Sequence, residues 1–340
     1  MTVDLRSDLC SLPTDEMWRA MREAELGWAT IGEDASVRSL EESAARLLGH
    51  EQAVWVPTCG MANLAALLVH AERGQGVVLE SAAHILTSEG MAIAEIAGLE
   101  PFSVWAPDGR LDPERVDQTI SEEKAVVLAL ENTHTRAGGT VLSAERTRAL
   151  VEVAHRHGAR VHLDGARLPN AAVALGVELH ELARDVDSVV LSLNKGLSAP
   201  FGCVLAGNAA VVQSARTRLR QLGGGTVHRA GIAAAAGIVA LEQMRDRLVD
   251  DHRRARELGA LLAAIDGLRL EPERVETNIV LLDVTESGWE PERFVAALAS
   301  RGILILERDG SRVRFVTHRL VEDGDIARAA EAVAEVAAAV

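Results

Sequence analysis

Short runs of β-branched and other apolar residues alternate along this chain with segments of helical periodicity. Residues 125–130 have the character of a buried strand, and Ser143 is typical of the N-cap of a helix that ends at Gly158. Residues 160–163 then resume as a strand. This order of strand, helix and strand is typical of parallel βαβ units, whose ligands bind beyond the carboxyl ends of the strands. We therefore expect an α/β fold with a mainly parallel central sheet flanked by helices.

The pattern changes after about residue 245, where a strongly charged helical stretch begins. With 340 residues and 48% hydrophobic side chains, the chain can bury one large domain and a smaller one. We predict an N-terminal segment and large domain over 1–245 and a small C-terminal α/β domain over 246–340, with an antiparallel sheet covered on one side. Its predicted strands are 278–282, 303–306 and 313–316, and its predicted helices are 245–256, 290–299 and 323–340.

Composition excludes several classes of function. The net charge of -15 argues against binding to nucleic acid or an anionic membrane, since both need clustered cations, and favours a small-molecule ligand. Cys10, Cys59 and Cys203 are isolated and odd in number, which predicts neither a disulfide framework nor a metal site. We expect a cytoplasmic, reducing compartment. No apolar run is long enough to span a bilayer, so a soluble protein is expected.

Two predicted strands end in residues that carry chemistry. Lys195 follows the apolar run 189–193 and precedes Gly196, which is the setting of a lysine that forms a Schiff base. Upstream, a short strand ends in Asp164, with Arg167 three residues later. A carboxylate and a guanidinium are the partners that a pyridoxal phosphate (PLP) ring requires. Together these residues predict that the chain binds PLP.

Seven short segments occur in the order found in one known family: 4–8, 32–34, 131–134, 164–167, 195–197, 222–225 and 313–318. With these segments, nearly the whole chain resembles the low-specificity L-threonine aldolases, which are fold-type I PLP enzymes. The resemblance implies retro-aldol cleavage of a β-hydroxy-α-amino acid, such as threonine or allo-threonine, to glycine and an aldehyde. It also implies a homotetramer in which two subunits build each active site.

The resemblance also assigns roles to the residues that hold cofactor and substrate. Lys195 carries the cofactor, and Asp164 keeps its pyridine nitrogen protonated. Arg167 and Arg314 bind the substrate's α-carboxylate, with Ser7 assisting, because the planar fork of arginine grips a carboxylate in two places. Arg167 also belongs to the expected cofactor site.

Two histidines are candidates for the base that deprotonates the substrate's β-hydroxyl. His84 matches the family's histidine that stacks on the cofactor ring and faces the hydroxyl, and His134 matches a second histidine near it. Either imidazole can remove the proton, and a bound water can mediate the transfer.

The cofactor phosphate is expected at Thr58, Cys59 and Gly60, which follow strand 53–56 and open a helix starting near Met61. The family usually has Gly then Thr at Cys59 and Gly60, so one hydroxyl contact is missing unless Thr58 supplies it.

Three further departures concern the neighbouring subunit and the substrate. Arg229 or His228 fills the place of an arginine that reaches the neighbouring subunit's cofactor phosphate. Ile31 stands where the family usually has tyrosine, and Leu9 replaces a usual threonine. These changes leave the preferred substrate open.

Two alternatives to the aldolase remain. One is β-elimination on the same scaffold, which yields a keto acid and ammonia and preserves the Cα–Cβ bond. The other is a PLP-fold protein without catalysis that serves as a binding module. The presence of Lys195, Asp164, Arg167 and Arg314 favours an enzyme.

Overall fold

A computed structural model describes residues 2–339, apart from the side chain of Pro272. The strands in this part of the chain are β1 (Val3–Asp4), β2 (Gln52–Val56), β3 (Gly76–Glu80), β4 (Glu100–Val104), β5 (Val127–Glu131), β6 (Arg160–Asp164), β7 (Ser188–Ser192), β8 (Cys203–Gly207), β9 (Ile279–Asp283), β10 (Ile303–Leu304), β11 (Leu306–Asp309) and β12 (Arg312–Val316). The α-helices are α1 (Asp15–Glu23), α2 (Ala35–Leu48), α3 (Cys59–His70), α4 (His84–Thr87), α5 (Pro113–Glu123), α6 (Ala144–Arg156), α7 (Leu168–Leu175), α8 (Leu179–Ala183), α9 (Ala209–Gln221), α10 (Gly231–Gln243), α11 (Leu248–Ala263), α12 (Pro291–Ser300) and α13 (Asp323–Ala337).

Seven strands form the large sheet in the order β2-β8-β7-β6-β5-β3-β4. The five strands from β7 to β4 are parallel, whereas β8 runs antiparallel to both β2 and β7. The predicted α/β fold with a mainly parallel sheet is confirmed. Strands β3, β7 and β8 are buried along their whole length, which explains why their central residues, 77–79, 189–191 and 204–206, are all apolar without polar alternation.

The βαβ unit predicted between residues 125 and 163 is present, with bounds that differ by one or two residues from those expected. Helix α6 begins after Ser143, whose hydroxyl accepts a hydrogen bond from the backbone N–H of Arg146, as an N-cap does. It ends at Arg156, and Gly158 then takes a left-handed conformation with φ of 73°. Strands β5 and β6 on either side of the helix are parallel neighbours.

The C-terminal part carries a three-stranded antiparallel sheet in the order β11-β12-β9. The single strand predicted at 303–306 is wrong: β10 pairs in parallel with β1, and after the buried Ile305 the chain continues as β11 beside β12. Val3 and Leu5 of the N-terminal segment share a hydrophobic core with α11, α12 and α13. The predicted domain boundary at residue 245 stays a prediction.

One edge of the large sheet collects the residues of interest. Because β5, β6 and β7 are parallel, their carboxyl ends at Glu131, Asp164 and Ser192 lie side by side. The N-terminal segment crosses this edge and brings Asp8 to it. None of the helices within residues 2–339 combines the length and apolarity needed to cross a membrane.

Candidate active site

Lys195 lies in the bend that follows β7, in the position where the sequence predicts it. The residue is half-buried, and its backbone carbonyl accepts a hydrogen bond from the N–H of Ser198 at 2.9 Å, which closes the turn. The positive charge of Lys195 helps to lower the pKa of Asp8 and of Cys59. The ammonium group is therefore close to Asp8 and Cys59.

Asp164 ends β6 and is buried, with each oxygen held by a donor. Oδ1 accepts from the backbone N–H of Ala166 at 3.1 Å, and Oδ2 accepts from the amide of Asn63 at 3.1 Å. The same Asn63 nitrogen donates to Glu89 Oε1 at 2.8 Å. One atom from each of Asp164, Glu89 and His84 lies within 4.8 Å of the other two, so these three side chains share one small space.

A chain of buried hydrogen bonds fixes the orientation of the Asn63 amide. Its oxygen contacts His162 Nε2 at 3.0 Å, His162 Nδ1 contacts Ser188 Oγ at 2.8 Å, and His70 Nε2 contacts the same hydroxyl at 2.8 Å. Burial lowers the pKa of His162 to about 3 and that of His70 to about 4, so both imidazoles are neutral. Since an amide oxygen can only accept, His162 donates from Nε2 and accepts at Nδ1. The chain therefore points the amide donor at the two carboxylates.

His84 begins α4 and is the more exposed of the two candidate histidines, with 35% of its side chain accessible. Its Nδ1 lies 3.2 Å from Glu89 Oε1, and this contact raises the pKa of the imidazole. Its backbone N–H donates to Glu131 Oε2 at 2.7 Å. Because Nδ1 is engaged by a carboxylate, Nε2 is the nitrogen left for a substrate.

His134 is enclosed by protein, with only 3% of its side chain accessible. Its Nε2 lies 3.0 Å from Glu80 Oε2 and its Nδ1 accepts from the N–H of Ala137 at 3.3 Å. Burial opposes protonation, but the charges of Glu131 and Glu80 outweigh it and raise the pKa. Both ring nitrogens thus face protein groups, which distinguishes His134 from His84.

Arg167 is buried and its guanidinium already has partners. Nε and one terminal nitrogen donate to the two oxygens of Asp8 at 2.8 and 2.7 Å, and the other terminal nitrogen donates to Thr135 Oγ1 at 3.0 Å. Burial would raise the pKa of Asp8, but the charge and hydrogen bonds of Arg167 hold it well below its usual range. Arg167, which is predicted to bind the substrate's carboxylate, thus already binds the carboxylate of Asp8.

Arg314 and Ser7 come together from opposite ends of the chain. A terminal nitrogen of Arg314 donates to the carbonyl of Arg6 at 3.0 Å, while its buried Nε has no hydrogen-bond partner among the described residues. Burial first, and then the charge of Arg167, lowers the pKa of Arg314 to about 10. Ser7 Oγ accepts from the N–H of Leu9 at 3.2 Å. Arg314 therefore offers a free donor.

The predicted phosphate loop is the start of α3, which begins at Cys59 and not near Met61. Thr58 is its N-cap, and its hydroxyl oxygen accepts from the N–H of Met61 at 3.3 Å. Within residues 2–339, no hydrogen bond engages the N–H groups of Cys59 and Gly60. Hydrogen bonding to Cys203 lowers the pKa of the Cys59 thiol. The positive charge of Lys195 lowers this pKa further, whereas the negative charge of Asp164 opposes the shift. The helix start therefore opens onto the site.

Arg229 and His228 lie apart from these residues. The guanidinium of Arg229 donates to the carbonyl of Gly27 at 3.0 Å, and both side chains border a separate cavity with Trp28 and Glu33. Ile31 and Leu9 are exposed. A single chain does not bring Arg229 to Lys195, so its predicted role requires a neighbouring subunit.

Sequence reasoning missed the acidic and amide partners of the site. Asp8 and Glu131 belong to quoted motifs, but no role was predicted for them, although Glu131 ends β5 just as Asp164 ends β6. Glu89 and Asn63 were not singled out. The useful signal is a carboxylate at the carboxyl end of a parallel strand, which applies to Glu131 and also to Glu80, the last residue of β3 and a contact of His134.

Comparison with known proteins adds a family and two full-length relatives. The family model described as "Beta-eliminating lyase" matches residues 4–287. The chain is 38% identical to "Low-specificity L-threonine aldolase 1" of Arabidopsis thaliana over 96% of this chain and 93% of the relative. It is 36% identical to "Low specificity L-threonine aldolase" of Escherichia coli K12 over 99% of this chain and 97% of the relative.

Solved structures share the fold. A threonine aldolase from Leishmania major superposes with a TM-score of 0.83 at 20% identity, covering 98% of this chain and 99% of the other. A structure described as a putative L-allo-threonine aldolase from Listeria monocytogenes gives a TM-score of 0.80 at 20% identity, covering 94% of this chain and 92% of the other. At these identities the likeness establishes the architecture alone.

Proposed function

Because the chain belongs to the beta-eliminating lyase family, we propose that it is a PLP-dependent lyase that splits the Cα–Cβ bond of a β-hydroxy-α-amino acid. The products are glycine and an aldehyde, and threonine and allo-threonine are model substrates. The observation that carries this proposal is the convergence of Lys195, Asp164 and His84 at one edge of the sheet. The names of the two full-length relatives support the same reaction.

The residues at this edge fit PLP. Asp164 is a buried carboxylate that accepts hydrogen bonds from two donors, which suits a partner of a protonated pyridine nitrogen. The N–H groups of Cys59 and Gly60 at the start of α3 suit a phosphate. Lys195 would hold the cofactor covalently. When bound, the cofactor supplies a conjugated ring that accepts the electrons released at Cα.

The substrate's α-carboxylate would bind Arg314, whose buried Nε lacks a partner within the described chain. Arg167 adds positive charge and, through its pair with Asp8, keeps the N-terminal segment and Ser7 beside the site. Charge-assisted hydrogen bonds of this kind orient the substrate, because they are short and directional.

We assign removal of the β-hydroxyl proton to Nε2 of His84. Glu89 engages Nδ1, holds the ring in place and stabilises the imidazolium that forms when Nε2 takes the proton. His134 is a positioning residue in this scheme: it lies between Glu80 and Glu131, and Glu131 in turn holds the backbone of His84.

A homotetramer in the cytoplasm completes the proposal. Leu26, Trp28 and Ile31 are exposed apolar residues on the side of the molecule that carries Arg229, which supports contact with another subunit there. The three cysteines are free thiols, which supports a reducing compartment.

β-Elimination is the second candidate, favoured by the description of the matching family. The two reactions differ in the bond that breaks, so product analysis separates them. Elimination yields a keto acid and ammonia, whereas the aldolase yields glycine and an aldehyde.

The covalent link can be tested cleanly because the chain has only two lysines, Lys124 and Lys195. Borohydride reduction of the PLP-loaded protein, followed by digestion and mass spectrometry, should place the cofactor on Lys195. Lys124 is exposed at the end of α5 and serves as an internal control, with Lys124→Arg as the matched variant of Lys195→Arg. Modification of Lys124 alone, or of neither lysine, would refute the assignment.

A further inference from the structure

Two arginines outside the predicted set, Arg136 and Arg308, lie close enough to Arg314 for their charges to lower its pKa. Arg136 follows His134 by two residues, and its Nε donates to the hydroxyl of Thr87 at 2.9 Å, on the short helix that begins with His84. Arg308 is on β11 at a register shift between Glu307 and Asp309. With Arg167 and Arg314, these residues form what we call the arginine cluster.

Arg308 and Arg314 are affected by the charges of the other members of the arginine cluster. Burial first, and then the charge of Arg136, lowers the pKa of Arg308 to about 10, and Arg314 is lowered by Arg167, Arg308 and Arg136 in addition to burial. Asp309 and Glu131 oppose this effect at Arg308, and Asp8 opposes it at Arg314, but the pKa of both arginines stays lowered. Like charges held together in a partly buried place repel, so an anion beside Arg308 and Arg314 would be favoured.

The acidic side chains nearby already have other partners. Asp8 is bound by Arg167, and Asp309 accepts from Nε of Arg312 at 2.8 Å. The two oxygens of Glu131 accept from the backbone N–H groups of His84 and Thr135. No carboxylate among the described residues pairs with Arg308.

Two N–H donors of the arginine cluster therefore have no acceptor within the described residues. Nε of Arg308 and Nε of Arg314 are both buried and lack hydrogen-bond partners in the described part of the chain. An unsatisfied buried donor on a charged group is costly. The α-carboxylate of an amino acid can satisfy Arg314, but a substrate with an uncharged side chain, such as threonine, leaves Arg308 unsatisfied.

We propose that Arg308, with Arg136, binds a second anionic group on the substrate's side chain. This proposal rests on the proposed function. It predicts that the substrates are β-hydroxy-α-amino acids that carry a carboxylate or a phosphate ester beyond Cβ. For 3-hydroxyaspartate, the Cα–Cβ bond breaks, the β-hydroxyl loses its proton, Cβ becomes the aldehyde carbon of glyoxylate, and Cα gains a proton to give glycine.

The test compares an acid with its uncharged isostere. kcat/KM for glycine formation is measured with 3-hydroxyaspartate, which carries a second carboxylate, and with 3-hydroxyasparagine, which carries an amide in its place. The same measurement with a threonine derivative that has a phosphate ester on its fourth carbon shows whether the site prefers a phosphate or a carboxylate. Charged hydrogen bonds predict a preference of about 10- to 100-fold for an anionic substrate. In Arg308→Met the ratio of anionic to neutral kcat/KM should fall by a similar factor, mainly through KM.

Arg312→Met is the matched control, because Arg312 is close in sequence but is paired with Asp309. It should leave the substrate ratio unchanged. Arg308→Met should keep or raise the melting temperature, since it removes a buried donor without a partner. A large loss of stability would mean that Arg308 is structural, and this would overturn the proposal.

A binding measurement separates this proposal from the proposed function. Calorimetry of the PLP-loaded protein should show succinate binding at least tenfold more tightly than butyrate, with the difference lost in Arg308→Met. Glycine formation from threonine without preference for any anionic substrate or ligand would overturn the substrate class and leave the lyase intact. Failure of every substrate, with succinate still preferred, would refute the lyase and leave the anion site.

Discussion

Removal of the charge of Asp8 should weaken the fold and the site together. Asp8 is fully buried and accepts two hydrogen bonds from Arg167, at 2.7 and 2.8 Å, and one from Asn278 at 3.3 Å. Asp8→Asn keeps the size of the side chain but leaves the guanidinium of Arg167 buried without its anion. Breaking one partner of a buried ion pair costs about 3–5 kcal/mol. We expect the free energy of unfolding to fall by this amount.

Asp4→Asn is the matched control, because Asp4 lies four residues earlier and pairs with Arg6 at 2.6 Å on the surface. Exposed pairs contribute about 0–1 kcal/mol, so this variant should barely change stability. Both variants are compared with the wild type by urea denaturation at pH 7, followed by circular dichroism. A loss below about 1 kcal/mol in Asp8→Asn would mean that the buried pair contributes no more to stability than an exposed one.

The dependence of stability on pH gives an independent check on the role of Asp8, because the direction of the change is fixed by its lowered pKa. The pKa of Asp8 in the folded protein lies well below its ordinary value of 3.8, because Arg167 offsets the effect of burial. Its contribution to stability is therefore present above pH 3.8 and is lost as the pH falls towards the folded pKa. The difference between wild type and Asp8→Asn should shrink over that window, and a difference that grows there would contradict the assignment.

Three further variants test the hydrogen-bond network of the site. Glu89→Gln should lower the pKa of His84 towards its ordinary value of 6.5, so the acidic limb of kcat/KM should move to lower pH; an unmoved limb would separate His84 from proton transfer. Asn63→Leu leaves Asp164 without its amide donor, which should lower the free energy of unfolding by about 1–3 kcal/mol. The variant should also bind PLP more weakly in a spectrophotometric titration. An unchanged affinity for PLP would show that the amide is dispensable. His162 has a pKa of about 3 in the folded protein against an ordinary value of 6.5. As the pH falls from 6.5 towards 3, the unfolded chain binds a proton that the folded protein does not, so stability falls by about 1.4 kcal/mol per pH unit. His162→Gln should therefore flatten the dependence of the urea midpoint on pH in that range.

The framework of the fold could be predicted from the sequence, because buried parallel strands leave a local signal. The apolar runs before Glu131, Asp164 and Lys195 mark β5, β6 and β7, and parallel neighbours place their ends together. The interruption between β10 and β11 could not be predicted, because Ile305 is as apolar as its neighbours and only pairing with different strands divides the run.

The partners of the site residues could not be predicted, since they are distant in sequence. Asp8 and Arg167 are 159 positions apart, and the orientation of the Asn63 amide depends on a histidine 99 positions away. Neither contact leaves a periodic or local pattern. The same limit explains why the contact between Asp8 and Arg167 could not be predicted, and the role of Arg167 toward the substrate stays a prediction.

An isotope label shows whether this site breaks the bond between Cα and Cβ. A β-hydroxy-α-amino acid labelled with ¹³C at Cα is incubated with the PLP-loaded protein, and the products are followed by NMR. Retro-aldol cleavage places the label in glycine, separated from the carbon that carried the hydroxyl. A label found in a keto acid still bonded to its former Cβ, or retained entirely in the unreacted amino acid, would contradict it.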